Sequence, residues 1–475
     1  MQESLLLDDE GLLQEGAGRH LQQPDPAAPK ASTCGAVINL SNTVLGAGVL
    51  AMPYACSQCG LVLFTGLLTS VAVGAHLSIR MLAISMDKHQ MTSTARYASL
   101  GERAYGRLGS SVAMLAIFLQ QLGPCIIYIQ ITADILVPIL CEANPWFVYE
   151  TTTDDCNADH DLRSTLQLAV VVLCMLPLSM IKSIDSLKFA SAISMFFMSA
   201  FAALVVLRGI WVLRYPSIRE DDYAAVCLSG GGGADGSSTG QLVEEPAAGS
   251  TPKKSGWYCD THPGKQLSWW VPETGNPIKA VPIICFAFLC HQNIFPVFQQ
   301  LDSPTHRTMT KVSGLSVALC WSVYYIVGVF GYATFLRRAE TSKGDILNLF
   351  TVSTKGVGWF PVVTDVSRLG YGLSIVLSYP IMLFELRHVV MTAIGASLCG
   401  CEGCAARLRV HPDTVRNLVV NVALIGPCTA IALVVGDPHI VFGFIGSTMS
   451  PLIVFILPAL FCEFVVLLQR NPVPI

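Results

Sequence analysis

The sequence predicts an all-α polytopic membrane protein with about ten transmembrane helices, and three observations carry that expectation. Only 13% of the 475 residues are Asp, Glu, Lys or Arg, against about 25% in soluble domains. Hydrophobic residues make up 52% and mean hydropathy is +0.55. The apolar residues are gathered into blocks long enough to cross a bilayer as helices, which takes roughly 20 residues; the ~10-residue alternating segments of a barrel are not seen. Together these exclude a disordered chain and most soluble multidomain enzymes. A net charge of -4 offers no basic surface for nucleic acid. No HExxH helix, Walker loop or GxSxG elbow is present, so no enzyme and no resident cofactor is expected.

Residues 1–33 read as a disordered cytosolic tail. They carry Glu3, Asp8, Asp9, Glu10, Glu15 and Asp25 with three prolines, where a signal peptide would need a basic start and an apolar core. Residues 34–468 form the membrane domain, with spans expected at about 34–56, 61–85, 112–140, 165–181, 188–212, 280–299, 312–336, 366–392, 416–436 and 439–468. Of the 29 Lys and Arg, 16 fall on the cytosolic side if the N-terminus is inside. Most on the other side fall in the long segment 208–279, which the positive-inside rule discounts. That places the N-terminus in the cytosol and, with ten spans, residues 469–475 as a short cytosolic C-terminus. The extracytosolic loop 213–279 contains a Gly/Ser stretch from Ser229 to Gly240 and reads as flexible. The 17 cysteines mostly lie in apolar runs, where Cys acts as a small hydrophobe.

Polar groups inside a bilayer must be satisfied by protein, water or ligand, so their positions are the most informative feature. The first span reads Asn39-Leu40-Ser41-Asn42-Thr43-Val44-Leu45-Gly46-Ala47-Gly48, with Pro53 beyond. Glycines weaken a helix and proline removes a backbone donor, so a break near the middle is expected. The sixth span has the same character: Pro282 and Pro296 flank Cys290-His291-Gln292-Asn293. Spans one and six occupy corresponding positions in two five-span halves of opposite direction. Paired interrupted spans of this kind point to a secondary transporter's binding site, whose unwound centres offer N–H groups to a carboxylate and C=O groups to a cation. The bland alternative is a pair of tolerated kinks and packing faces.

Asn39 to Leu50 with Pro53-Tyr54 resembles the first helix of the sodium-coupled neutral amino acid transporters, within the amino acid/auxin permease superfamily. Further matches follow in order: Tyr97-Ala98-Ser99-Leu100-Gly101, Ser186 to Ser191, Phe286 to His291 with Pro296, Phe330 to Phe335, and Phe442 to Thr448 with Leu457-Pro458-Ala459. The resemblance implies a LeuT-type 5+5 inverted-repeat fold and secondary active uptake of neutral amino acids, glutamine- or alanine-like, by alternating access. It implies Na⁺ coupling, with Asn42 and Ser378 as cation ligands. Neutral amide and hydroxyl oxygens suit Na⁺ without burying a charge. Thr43, Gly46, Ala47 and Gly48 would surround the substrate's carboxylate and amine, with Phe286 and Ala287 as the opposite wall. The family usually has eleven helices, where ten are counted here. Related transporters carry a disulfide in the loop that holds Cys227 and Cys259, which are otherwise two free thiols; Cys141 and Cys156 are a second pair.

Two ionisable residues within spans serve either ion coupling or structure: Asp134 near the outer end of span three, and His291, whose ordinary pKa lies near working pH. Proton coupling in place of Na⁺, and a membrane amino acid sensor with little flux, are the alternatives. Asp8-Asp9-Glu10-Gly11-Leu12-Leu13 resembles an acidic dileucine sorting signal, which leaves a lysosomal or vacuolar membrane beside the plasma membrane as the destination. The expected partners are the amino acid, the coupling ion and the lipid bilayer, with the chain a monomer.

Overall fold

A computed structural model describes residues 32–88, 96–143, 160–180, 188–215, 267–273, 275–336, 339, 346, 360–398 and 413–470. Among them, nine helices are long and apolar enough to cross a membrane, and a tenth span appears if one bent pair is counted together. That pair is α1 (Thr33–Val44) and α2 (Gly48–Cys59), bent by 61° across Leu45–Ala47. The order continues with α3 (Leu61–Lys88), α4 (Tyr97–Ala143), α5 (His160–Val170) and α6 (Lys188–Arg214). The sixth span is α7 (Pro277–Ala287), a 3-10 turn at His291–Asn293 and α8 (Ile294–Gln300). Then come α9 (His306–Phe335), α10 (Phe360–Leu398), α11 (Asp413–Val434), α12 (Pro438–Ser447) and α13 (Leu457–Arg470).

The breaks in spans one and six follow their chemistry. Leu45 takes φ -71, ψ 73, outside the helical region, and α2 restarts at Gly48. In span six the helix ends at Ala287, and Cys290 at φ -143 leaves helical geometry before the 3-10 turn. Every residue of α2 is buried, so the second half of span one forms the centre of the bundle. It packs on α7, α9 and α3. The end of α2 away from the break is tied as well: Leu61 and Val62 N–H donate to the Ser268 and Trp269 carbonyls at 3.1 and 3.0 Å. Gln58 Oε1 accepts from Asn276 N–H at 3.1 Å, and Asn276 caps α7. Gly60 sits at φ +71, where an added Cβ would meet the Trp270 backbone, so the turn between α2 and α3 requires glycine.

Three spans depart from their expected outlines. Span three starts at Tyr97 rather than 112, because Tyr97 to Ala104 is helical and Gly106, at φ +63, turns that piece into the long helix. Span four contains a π-helical turn at Val171–Met175 just before Pro177, and span ten one at Leu452–Ile456 just before Pro458. Proline cannot donate to the carbonyl four residues back. In span ten, buried hydroxyls take over: Tyr97 Oη donates to the Ile453 carbonyl at 2.8 Å, and Ser78 Oγ donates to that of Val454. The hydropathy pattern carried no sign of the span-ten turn, because its donors come from spans two and three.

Candidate functional site

The two broken spans face one cavity. It is lined by Thr43, Val44, Gly46, Ala47 and Gly48 from the first break and by Phe286, Ala287, Leu289, Gln292 and Asn293 from the second. Gln121, Pro124 and Tyr128 of α4 and Met382 of α10 complete it, leaving ≈ 40 Å³ open to the centres of water molecules. One water needs about 10–15 Å³ by this measure, so the space suits a small solute.

The backbone gives this cavity its polarity. At the break, Gly46 N–H turns back to the Val44 carbonyl at 2.8 Å, and Val49 and Leu50 donate to Gly46 and Ala47 at 3.2 Å. Among the described residues, the N–H groups of Ala47 and Gly48 have no backbone acceptor. They stand at the N-terminus of the 12-residue α2, where orphan donors and the helix dipole favour an anion such as a carboxylate. Glycine keeps the walls close. A Cβ on Gly48 would lie 2.9 Å from that of Ala287, and one on Gly46 would lie 3.3 Å from Tyr128 Oη. Phe286 is braced edge-on by Phe442 of α12, with ring centroids 5.0 Å apart.

Tyr324 of α9 joins the two breaks. Its hydroxyl lies 2.6 Å from the Val44 carbonyl oxygen and 2.9 Å from that of Ala287. One hydroxyl proton serves two acceptors; the Val44 carbonyl also takes the Gly46 N–H, so the Ala287 carbonyl depends more on Tyr324. The residue is fully buried, and Phe288 packs edge-on against its ring at 5.3 Å.

The six residues proposed from the sequence to hold substrate (Thr43, Gly46, Ala47, Gly48, Phe286 and Ala287) all line the cavity. The proposed cation ligands do not. Asn42 is half-buried on α1, and Ser378 is half-buried on α10 with its Oγ 3.4 Å from Ser194 Oγ of α6. Cys227 and Cys259 lie outside the described residues, as does Cys156. Among the lining residues, the sequence reading passed over Gln121, Pro124 and Met382. Gln120-Gln121 was a visible signal, being a pair of amides in an apolar run, and Gln292-Asn293 sat inside the polar cluster already noted.

His291 is fully buried below the second break. Its Nε2 is 3.1 Å from Ser78 Oγ, while Nδ1 has no hydrogen-bond partner. Asp134 is held instead near the C-terminal end of α4: Arg163 Nη2 of α5 lies 2.6 Å from its Oδ1 and donates to the Gly436 carbonyl at 2.7 Å. This geometry ties spans three, four and nine together. Asp134→Asn is therefore expected to lower thermal stability by an amount between the ~0–1 kcal/mol of exposed pairs and the ~3–5 kcal/mol of buried ones. Thermal unfolding in detergent measures the loss. A change in the pH profile of uptake instead would give Asp134 a coupling role.

The sequence model of a family described as "Transmembrane amino acid transporter protein" matches residues 29–223 and 260–465. The sodium-coupled neutral amino acid symporter 2 of Danio rerio is 26% identical over 431 residues, covering 90% of this chain and 74% of that protein.

Proposed function

Because the chain belongs to the transmembrane amino acid transporter family, and is an integral multi-pass membrane protein that transports amino acids, we propose that it is a secondary active, sodium-coupled symporter of neutral amino acids. Glutamine- and alanine-like substrates bind between two interrupted spans of a LeuT-type 5+5 fold. The N-terminus is cytosolic, and the protein works as a monomer in the plasma membrane or a lysosomal or vacuolar membrane. The observation that carries this reading is a cavity walled by both broken spans, with open N–H groups at the start of α2. The sodium-coupled relative supports the choice of ion.

In this mechanism the substrate carboxylate takes the Ala47 and Gly48 N–H groups, and Thr43 and the carbonyls near the first break receive the ammonium. Phe286 and Ala287 close the opposite side. Na⁺ sits between Asn42 and Ser378, outside the cavity. It couples to substrate by linkage, because both ligands stabilise the same arrangement of α1 against α10. The test is labelled alanine and glutamine flux into proteoliposomes with and without a sodium gradient. Concentrative, sodium-dependent uptake supports the reading; binding without flux makes the protein a sensor. Asn42→Ala and Ser378→Ala each raise the sodium concentration for half-maximal uptake by about tenfold or more, the effect of losing one polar contact to an ion. Unchanged sodium activation in both variants removes the site.

One observation favours a second reading. The Nδ1 of His291, beside the break, has no hydrogen-bond partner, which leaves a position for a proton, against the desolvation cost that full burial sets on a charged imidazole. Uptake that ignores sodium but collapses with the pH gradient, and is lost in His291→Gln, would establish proton coupling.

A further inference from the structure

Two amides meet at the wall of the cavity. Gln292, in the 3-10 turn of the second break, is 8% exposed, and Gln121 of α4 is 1% exposed. Gln292 Nε2 donates to Gln121 Oε1 at 3.1 Å, and both side chains line the cavity. In this arrangement the Nε2 end of the Gln292 amide faces α4. The other end, Oε1, is buried and has no hydrogen-bond partner in the protein. More than ~90% of buried polar groups are paired, so this oxygen marks a place where a donor belongs.

The remaining lining narrows the donor. Among the described residues it holds no Asp, Glu, Lys, Arg or His. A cationic side chain would be buried there without a counter-ion, and an anionic one would face the Gln292 oxygen. The substrate's α-carboxylate has its seat at the first break, on the other broken span. We infer that Gln292, oriented by Gln121, is a specificity-determining residue for the substrate's side chain. It accepts a hydrogen bond from a neutral N–H or O–H, and so separates carboxamide and hydroxyl side chains from apolar ones of equal size. The discrimination is one-sided for a physical reason. A donor satisfies Oε1, whereas an apolar isostere leaves this buried oxygen unpaired. This inference rests on the transport reading above.

The experiment compares near-isosteric competitors in the full chain reconstituted into proteoliposomes: asparagine against leucine, and glutamine against methionine, each inhibiting labelled alanine uptake. Wild type is expected to favour the amide of each pair by about tenfold or more. In Gln292→Met the members of each pair come to inhibit equally, and Gln121→Leu, which frees the amide to turn, gives an intermediate ratio. If Gln292→Met carries no alanine, the same ratio is read from melting-temperature shifts of the detergent-solubilised protein with each competitor added. A wild type without the preference, or a preference unchanged in Gln292→Met, overturns the inference. Equal weakening of alanine, asparagine and leucine also overturns it, since it assigns Gln292 to the shared ammonium. Alanine uptake with an unmoved ratio sinks this inference alone. A wild type that neither transports nor is stabilised by any amino acid sinks the transport reading and this inference with it.

Discussion

Gly446→Ala is expected to abolish amino acid uptake and to lower the melting temperature of the solubilised protein, while Gly443→Ala, three residues earlier on the same helix, leaves uptake intact. Gly446 lies on α12 against α7, and both helices pack closely. An added Cβ there would lie 2.5 Å from the Pro282 carbonyl carbon and 2.9 Å from its Cα, with the carbonyl oxygen nearer still. These are backbone atoms, so no side-chain rotation relieves the clash and the helices must separate. Overpacking in a core costs about 1–3 kcal/mol and occasionally more. The ~1 kcal/mol that alanine gains over glycine in a helix does not offset it. Moving α7 also displaces Phe286 and Ala287, which end that helix and wall the cavity. A Cβ on Gly443 meets nothing within 4 Å, so only the propensity gain remains. Equal behaviour of the two variants in uptake and thermal unfolding would mean that the contact of α12 with α7 does not set the site.

Tyr324→Phe should cut uptake about tenfold or more with the bundle still folded. The ring and its contact with Phe288 are kept, and only the hydroxyl that joins the Val44 and Ala287 carbonyls is lost. Leaving a buried carbonyl without its donor costs about 1–3 kcal/mol. Here that cost falls mainly on Ala287 at the second interruption, since Val44 keeps its Gly46 N–H, so it appears as disorder of the site more than as global unfolding. Two readouts distinguish these: the half-saturating alanine concentration rises, while the melting temperature falls less than in Gly446→Ala. Wild-type uptake kinetics in Tyr324→Phe would show that the breaks hold their shape without the tie.

Much of this was legible from composition and local chemistry. Blocks of apolar residues can only be long helices in lipid, since every backbone polar group must be paired within its own segment. The Gly46-Ala47-Gly48 run and the prolines of span six announced the breaks, because glycine and proline act on the chain within a turn of themselves. The same residues pointed to Thr43, Gly46, Ala47, Gly48, Phe286 and Ala287, which line one cavity. Pro177 and Pro458 were equally visible, yet their π turns were not anticipated. A lost donor predicts a defect but not how it is repaired, and in span ten the repair comes from Ser78 and Tyr97 on other spans.

The sequence by itself determined that the chain spans a membrane many times and that spans one and six are interrupted, both consequences of short-range backbone chemistry. Only the tertiary structure decided that the two interruptions share a cavity, that Tyr324 reaches both of them, that Asp134 is engaged by Arg163 at the rim, and that Gln121 turns Gln292 so that its oxygen lacks a partner. Each of these joins residues distant in the chain. Hydropathy and propensity are sums over neighbours in sequence, whereas a hydrogen bond across a bundle depends on which helix faces which, and that is set by packing.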